Sequence, residues 1–409
     1  EDLGNLVGSF QLRGSLEEIQ VRELTLTNMG SKRLSLGIKG SIGDLDELDA
    51  NLAFQARVTD PDLLLALTDL QLAATDAAGT LQTHGNAVRL KGDARIGNTR
   101  LNTDTEFSTG DGKLQSLDLV VNSPHLYLVD LGLQAQGDGD RQYRPAEQIE
   151  DAAESSLERV LSRAPRFPSR IRLSIDELTG ENTSIDSLQL EITGRDGAYT
   201  VRQLDASYAT GVAQFRGIVD LGQKPVAISM AGQGISIPLN RLSADVGMDT
   251  DIEGLVSFRG GITGRGTERK ELLQTLDGSL AFALEDAVIE GAAYDVLATG
   301  ILEWMYSGAA LETSTKLDCT MARFDFDRGN ARTDNIFIET RKMIATGEAT
   351  LDLVNDEIDL SLTPKSKSST VRVRGPLSNP RTIVSPISAA ADASAEALVL
   401  IPNIALKLF

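Results

Sequence analysis

Histidine side chains, which serve most often in acid–base catalysis and metal binding near neutral pH, occur only at His84 and His125. Neither has a histidine or cysteine partner at the spacing of a metal site. The sequence also lacks a Gly-x-Ser-x-Gly nucleophile turn and a phosphate loop ending in Gly-Lys-Ser or Gly-Lys-Thr. We therefore interpret both histidines as surface strand residues. We predict a protein that is not an enzyme and that uses no cofactor or metal.

Two further groups of residues have part of a ligand-site pattern but lack the remainder. Residues 260–266 are rich in glycine, yet a dinucleotide site requires a strand followed by a helix with an acidic residue beyond it. We interpret this segment as a turn. The acidic cluster at 44–49 and the pair Asp325 and Asp327 lack the glycine and distal glutamate that complete a calcium loop. We interpret these carboxylates as solvated turn residues.

The charge balance limits the classes of binding partner. The 409 residues include 39 Lys and Arg against 59 Asp and Glu, which gives a formal net charge of −20. Such a surface repels phosphate backbones and anionic lipid headgroups, so no nucleic-acid partner is expected and any contact with a membrane must be apolar. The single cysteine, Cys319, forms no internal disulfide, and no apolar run reaches the roughly 18 residues of a transmembrane helix.

Alternation of apolar and polar residues predicts the fold class. Segments with a period of two recur at a spacing of roughly 8–12 residues, as in antiparallel β proteins. They are separated by the turn signals Asp111-Gly112, Asp196-Gly197, Asp277-Gly278 and Asn355-Asp356. Each strand therefore has one apolar and one polar face, so one side of the sheet is in contact with water. The predicted fold is mainly β, with an elongated antiparallel sheet built from similar strand units and a few short helices.

Helices are predicted at five places in the chain. The clearest is 145–163, which has Pro145 at its first helical position and an apolar stripe along one side. The weaker candidates are 60–68, 268–276, 291–306 and 386–409. The last of these has Ser385 as its N-cap, and its apolar residues are too interrupted to span a bilayer. We expect it to dock on an apolar surface.

These elements divide the chain into four parts. They are an N-terminal β module (1–140), a helical insertion (141–168), a C-terminal β module (169–385) and a C-terminal helix (386–409). The polar stretch 137–144 interrupts the strand pattern and marks the boundary between the two β modules.

From Gly254 onward, the strands and glycines follow the pattern of a known family. The strongest segments are Gly254-Leu-Val-Ser-Phe-Arg-Gly-Gly-Ile-Thr-Gly-Arg-Gly266 and Glu271-Leu-Leu-Gln-Thr-Leu-Asp-Gly-Ser-Leu280, followed by 287–291, 321–332, 344–353, 358–362 and a closing turn at 375–381. These segments resemble the C-terminal region of the AsmA-like family of bridge-like lipid-transfer proteins. The resemblance is close over 170–384 and looser before residue 140.

The resemblance implies a fold, a location and partners. The implied fold is a twisted antiparallel sheet curled into an open hydrophobic groove, which the N-terminal module continues. The implied location is the periplasm of a Gram-negative bacterium, with attachment to the inner membrane through an N-terminal helix outside this sequence. The implied function is lipid transport in outer-membrane biogenesis, with phospholipids and both membranes as partners. An envelope protein is a further expected partner, at the C-terminal helix.

Physical chemistry agrees with a groove that shelters lipid chains. Moving a 16-carbon acyl chain into water costs about 12 kcal/mol at about 0.8 kcal/mol per methylene, so a continuous apolar lining is sufficient and no catalysis is required. The predicted lining consists of Phe215, Val226, Ile228, Met230, Val256, Phe258, Leu280, Phe282, Leu284, Phe324, Phe326, Ile336, Ile338, Leu351, Leu353, Ile358, Leu360 and Leu362. The alternative is a closed sandwich in which the same faces form an ordinary core.

Two other functions are weighed against the lipid conduit. A scaffold that assists outer-membrane protein assembly by offering strand edges would carry client polypeptide in place of lipid. A β-helix enzyme acting on polysaccharide would need paired carboxylates in an aromatic-lined cleft, and the aromatic content of 4% argues against it.

Overall fold

The computed structural model of the chain describes residues 6–15, 19–28, 34–43, 49–60, 63–65, 72–111, 113–132, 166–180, 184–245, 252–290, 314–340, 344–365, 369–377, 381–386 and 399–400. These residues lie mainly in strands, which confirms the predicted fold class. They belong to two compact units, Glu1–Ala206 (unit 1) and Ser207–Phe409 (unit 2).

The described part of unit 1 consists mainly of β-strands. The strands are β1 (Leu6–Gly14), β2 (Ile19–Asn28), β3 (Leu34–Ile42), β4 (Ala50–Val58), β5 (Thr75–His84), β6 (Ala87–Ile96), β7 (Thr99–Gly110), β8 (Lys113–Tyr127), β9 (Ser169–Ile175), β10 (Leu178–Thr179), β11 (Ser184–Ile185) and β12 (Ser187–Arg195). β13 (Ala198–Tyr208) contains the division between the units. Strands β1 to β7 each pair antiparallel with the next strand in sequence.

The pairing changes at the end of unit 1. β9 lies parallel to β8, with Leu119 opposite Ile171, and the short strand β10 is also parallel to the end of β8. β12 then returns antiparallel to β9. Because two parallel neighbours require a crossover connection, β8 and β9 are far apart in sequence although adjacent in the sheet.

Unit 2 is an uninterrupted antiparallel series among the described residues. Its strands are β14 (Gly211–Asp220), β15 (Ala227–Pro238), β16 (Ile252–Arg265), β17 (Asp277–Glu290), β18 (Ser314–Asp327), β19 (Asn330–Thr340), β20 (Ile344–Asp352), β21 (Glu357–Pro364), β22 (Ser369–Pro376), β23 (Arg381–Pro386) and β24 (Val399–Leu400). Each strand pairs with its neighbour in sequence.

The described residues contain a few short helical segments between strands. α1 (Leu239–Asp245) follows β15, and its first residue, Leu239, is buried. α2 (Arg269–Gln274) joins β16 to β17 and confirms the helix predicted at 268–276. A 3-10 turn covers Leu128–Leu131. Residues 63–65 are helical, within the predicted helix at 60–68.

Three helix predictions fall largely outside the described residues. These are 145–163, which contains the core of the helical insertion, 291–306, and most of 386–409. Within the last range, Pro386 ends β23, and Val399 and Leu400 form β24 by pairing with β23. The described part of that range is therefore extended.

Two predicted turns are wrong. Residues 260–265 continue β16 without a turn, and Asp277-Gly278 is the start of β17. The glycines serve close backbone approach instead: a methyl group on Gly260 would collide with the Ser279 carbonyl of the next strand. By contrast, Asp196-Gly197 does join β12 to β13, and both residues have positive φ, as a type I′ turn requires. Asp356, also at positive φ, joins β20 to β21, as predicted for Asn355-Asp356.

Candidate functional site

The strand register of unit 2 places the predicted lining on one face of the sheet. Residues directly opposite one another in adjacent strands point to the same side. Met230 lies opposite Ile262, Phe258 opposite Phe282, and Leu280 opposite Phe324. The series continues through Thr320 opposite Ile338, Ala331 opposite Leu351, and Leu351 opposite Ile358. We call this side the inner face of unit 2.

All but two of the predicted residues occupy inner-face positions within strands. Phe215 joins them through its pairing with Gly232, and Leu362 through its pairing with Gly347. Val226 immediately precedes β15, where its carbonyl accepts a hydrogen bond from Gly266 N, and Leu353 immediately follows β20. β-Bulges near Gly234, Gly254 and Thr333 interrupt the regular pairing. Beyond each bulge, the apolar side chains again point to the inner face.

Burial divides the inner face into two stretches. On β14 to β17 the lining side chains are half-buried: Phe215, Ile228, Met230, Val256, Phe258, Leu280, Phe282 and Leu284. Ile262, which the sequence reasoning did not select, is 37% exposed at the centre of this stretch. We call these strands the open stretch.

On β18 to β22 most side chains of the same face are buried. The buried members of the predicted lining are Phe324, Ile336, Leu351, Ile358 and Leu362, which pack in one cluster with residues such as Val371 and Val373. The half-buried Phe326, Ile338, Leu353 and Leu360 pack against this cluster, as does Phe282 from the open stretch. Leu351 is 3% exposed and Val371 is fully buried. We call these strands the closed stretch.

Glycines opposite large side chains keep the lining of the open stretch close to the backbone. The ring of Phe215 lies where a methyl group on Gly232 would project, and the ring of Phe258 occupies the same position over Gly234. The sulfur of Met230 covers Gly217 in the same way. The two rings stand 5.9 Å apart and are tilted by 32°. Large apolar side chains thus lie over glycines of the neighbouring strands at these positions.

The opposite face of unit 2 carries charged and polar pairs, together with the exposed apolar side chains of Val212, Ile218, Ile235 and Met321. Asp359 accepts hydrogen bonds from Arg372 (3.1 Å) and Arg374 (3.0 Å) across β21 and β22. Hydrogen bonding with Arg374, then with Arg372, lowers the pKa of the Asp359 carboxyl. Gln214 and Gln233 pair in the same way across β14 and β15, at 2.9 Å. These polar pairs suit contact with water, whereas the inner face is lined mainly by apolar side chains.

Unit 1 repeats this two-sided arrangement, and the sequence reasoning named no lining residues there. Its inner face follows the register through Ile38 opposite Phe54, Leu52 opposite Leu81, Leu81 opposite Leu90, and Val88 opposite Phe107. These side chains are all half-buried, in strict alternation with exposed neighbours along β4, β5 and β6. The signal was present in Leu52, Phe54, Ala56 and Val58, a clean period of two that could have been selected.

The outer face of unit 1 carries ion pairs between neighbouring strands. Asp104 accepts hydrogen bonds from Arg89 (2.9 Å) and lies 3.0 Å from the Lys91 ammonium. Hydrogen bonding to Arg89 is the largest cause that lowers the pKa of Asp104 to about 2. Arg57 pairs with Asp76, and Arg172 pairs with Asp118 at 2.8 Å.

The residues that were considered for chemistry have structural contacts. The His125 ring lies 3.0 Å from the Thr179 hydroxyl and 3.2 Å from the Glu177 carboxylate, and it stacks on Tyr127. His125 is half-buried within β8, and His84 at the end of β5 is exposed. Asp325 and Asp327 pair with Arg323 and Arg328. In the described part of the chain, no three acidic, His or Cys side chains converge in a way that could hold a metal ion.

Comparison with known proteins gives the family. The AsmA family model matches residues 1–336, which is most of the chain. The protein belongs to the AsmA family. This confirms the resemblance, and the family is associated with the bacterial cell envelope. No curated protein and no solved structure is detectably similar to this AsmA-family chain. Within the described ranges, no helix has both the length and the apolar character needed to cross a bilayer.

Proposed function

We propose that this protein is a non-catalytic lipid conduit, which carries phospholipid acyl chains across the periplasm between the inner and outer membranes. The observation that carries the proposal is the half-exposed apolar inner face found in each unit, with ion pairs and polar pairs on the outer face behind it. An apolar face of this extent is costly to leave in water, and a partner that covers it with hydrocarbon gains the corresponding free energy.

A lipid suits this face better than a soluble ligand does. The lining consists of Leu, Ile, Phe, Val, Met and small residues, with few groups that could fix the orientation of a polar molecule. Each methylene moved from water onto such a surface contributes about 0.8 kcal/mol, so acyl chains are retained without specific contacts. The formal charge of −20 does not attract anionic headgroups, so the headgroups stay in solvent.

The direct test is to identify what the purified protein holds. Mass spectrometry of lipids extracted from the natively purified chain should find phospholipids in stoichiometric amounts. Client polypeptides in place of lipid would instead favour the alternative function, a scaffold for outer-membrane protein assembly. A preparation holding neither, even after incubation with phospholipid vesicles, would contradict the conduit.

A pair of adjacent substitutions tests the inner face itself. Ile228→Asp places a carboxylate among the apolar side chains of the open stretch, where it must stay charged beside hydrocarbon or neutralise. We expect lipid content to fall strongly while the melting temperature changes by only a few degrees, because the face is half-exposed when empty. Ser229→Asp, one residue away on the exposed outer face, is the matched control and should retain lipid.

Leu351→Asp provides the contrast expected of a closed core. Leu351 is 3% exposed, so this variant should lose several kcal/mol of stability and fail to fold. Should Ile228→Asp unfold the protein as Leu351→Asp does, the open stretch would be an ordinary core and the lipid function would fail.

A further inference from the structure

The two stretches of the unit 2 inner face differ in whether a ligand can reach them. The predicted lining residues of the open stretch are half-buried and Ile262 is 37% exposed, whereas Ile237 and Ala213 on the same face are buried. In the closed stretch, Phe324, Leu351, Leu362, Val371 and Val373 are each 5% exposed or less. Half-buried side chains such as Phe326 and Ile338 also occur there, so a hydrocarbon chain that advances along the inner face meets less contact area beyond β17 than before it.

The change from open to closed occurs at one pair of aromatic rings. Phe282 on β17 and Phe324 on β18 stack with their ring centres 6.3 Å apart and an angle of 7° between their planes. Phe324 is a buried member of the closed cluster, while Phe282 is half-buried and packs against it from the open side. The face of Phe282 turned away from Phe324 thus lies at the boundary between the open and the closed stretch.

From this arrangement we infer that the lipid path in unit 2 is blind: acyl chains occupy the inner face over β14 to β17 and stop at Phe282. The inference rests on the proposed function, because it takes the ligand to be a lipid. Phe282 and Phe324 then set how far a chain can advance, and cargo leaves the open stretch across its rim and not along β18 to β22. Advance beyond Phe282 requires the closed cluster to separate, which exposes side chains packed at core density.

Photocrosslinking distinguishes a blind path from a continuous one. A photoreactive phenylalanine derivative is placed at Met230 or Phe258 in the open stretch, at Leu351 or Leu362 in the closed stretch, and at Ser229 on the outer face as the background control. The full chain is loaded from vesicles of radiolabelled phosphatidylethanolamine, irradiated, and assayed for label per mole of protein. We expect label at Met230 and Phe258. Label at Leu351 and Leu362 should be at least about tenfold weaker, because separating the closed cluster costs more than the about 1.4 kcal/mol that corresponds to a tenfold change in occupancy.

The outcomes separate this inference from the function on which it rests. Equal labelling of all four inner-face positions would overturn the blind path and leave the lipid conduit standing. Labelling no stronger than at Ser229 at every position would overturn both. Label confined to Leu351 and Leu362 would also contradict the inference.

A second measurement avoids placing a large group in the closed cluster. In a Cys319→Ser background, single cysteines replace Met230 or Leu351, and their reaction with a maleimide is followed with and without the same lipid. The cysteine at 230 should react when the protein is empty and be protected when it is loaded. The cysteine at 351 should react slowly in both states. Rapid reaction at 351 that lipid suppresses would overturn the blind path.

A substitution at the ring pair tests its role as the stop. Phe282→Ala removes the half-buried ring and leaves the buried Phe324 in place, so the closed cluster keeps its core. The photoreactive phenylalanine derivative is placed at position 324 in the Phe282→Ala variant and in the protein that keeps Phe282. We expect lipid crosslinking from position 324 to be severalfold higher in the variant, and crosslinking from position 230 to change little. Phe258→Ala, which removes a ring from the middle of the open stretch, is the matched control and should leave crosslinking at Phe324 unchanged. Equal effects of the two variants would contradict a special role for Phe282.

Discussion

Single polar residues on the outer faces hold adjacent strands together without touching the inner surface. In unit 1, Asp104 on β7 interacts with both Arg89 and Lys91 on β6, at 2.9 Å and 3.0 Å. Its carboxylate is about one-third exposed, so solvent screens the pairs and their contribution to stability is modest. They also place charge on a surface that would otherwise be a flat sheet face open to association.

The lowered pKa of Asp104 makes a specific prediction about acid stability. A carboxyl with a folded pKa of about 2 and an unfolded pKa of about 3.9 stabilises the fold above pH 4, and this stabilisation is lost as the pH falls toward 2. Asp104→Asn should therefore lower the melting temperature at pH 6 and differ little from the unsubstituted protein near pH 2. Thermal melts at both pH values test this. A difference that is the same at both would contradict the role of ionisation.

At the scale of the strand, glycines decide how closely neighbouring backbones approach. Gly79 on β5 faces inward, and a methyl group there would collide with the Lys91 carbonyl and lie 2.8 Å from the Cα of Gly92. Gly37 on β3 occupies a strand position too, but the nearest atom to an added methyl group is 4.0 Å away. The two positions differ in the space around them and not in their secondary structure.

This difference predicts opposite effects of the same substitution. Gly79→Ala should destabilise unit 1 by about 1–3 kcal/mol, because the strands must separate to accept the methyl group. Gly37→Ala should be neutral or stabilising by up to about 1 kcal/mol, since alanine restricts the unfolded chain. Urea unfolding of both variants measures these changes. Equal losses would mean that strand propensity, and not close approach, determines the cost.

The sequence predicted strand faces more reliably than strand curvature. Period-two alternation was sufficient to place Ile228, Phe258 and Leu351 on one side of the sheet, because the side-chain period of a strand is fixed. The alternation of apolar and polar residues is the same in the open and the closed stretch. The sequence therefore could not distinguish the buried Leu351 from the half-buried Ile228. The glycines at 260–266 were interpreted as a turn, although those within β16 allow close approach of neighbouring backbones. A turn and a close backbone approach both favour glycine, so the sequence alone did not distinguish them.

At the scale of the whole molecule, charge governs approach to membranes while apolar area governs retention. The net charge of −20 repels a vesicle of anionic lipid over a distance set by salt, about 30 Å at 0.01 M and about 8 Å at 0.15 M ionic strength. Once an acyl chain lies on an inner face, the interaction is apolar and insensitive to screening. The rate of loading and the amount retained should therefore respond differently to salt.

Lipid transfer measured against ionic strength tests this separation. Loading from anionic vesicles should become faster as salt rises from 0.01 to 0.15 M, because screening weakens the repulsion. Loading from zwitterionic vesicles should change little, and the final lipid content should be the same in every case. Slower loading from anionic vesicles at higher salt would indicate a local basic docking site and contradict the charge argument.

The parallel pairing of β8 and β9 has a consequence for how the protein is made. Strands β1 to β8 contact partners that are close in sequence, so each hairpin can form as soon as it leaves the ribosome. β9 cannot add to β8 until the chain has been synthesised through Ile175, because Leu117 pairs with Ser169 and Ser123 with Ile175. Until then the edge of β8 is an unpaired strand with an apolar face, and the nascent chain is most exposed to aggregation during this interval.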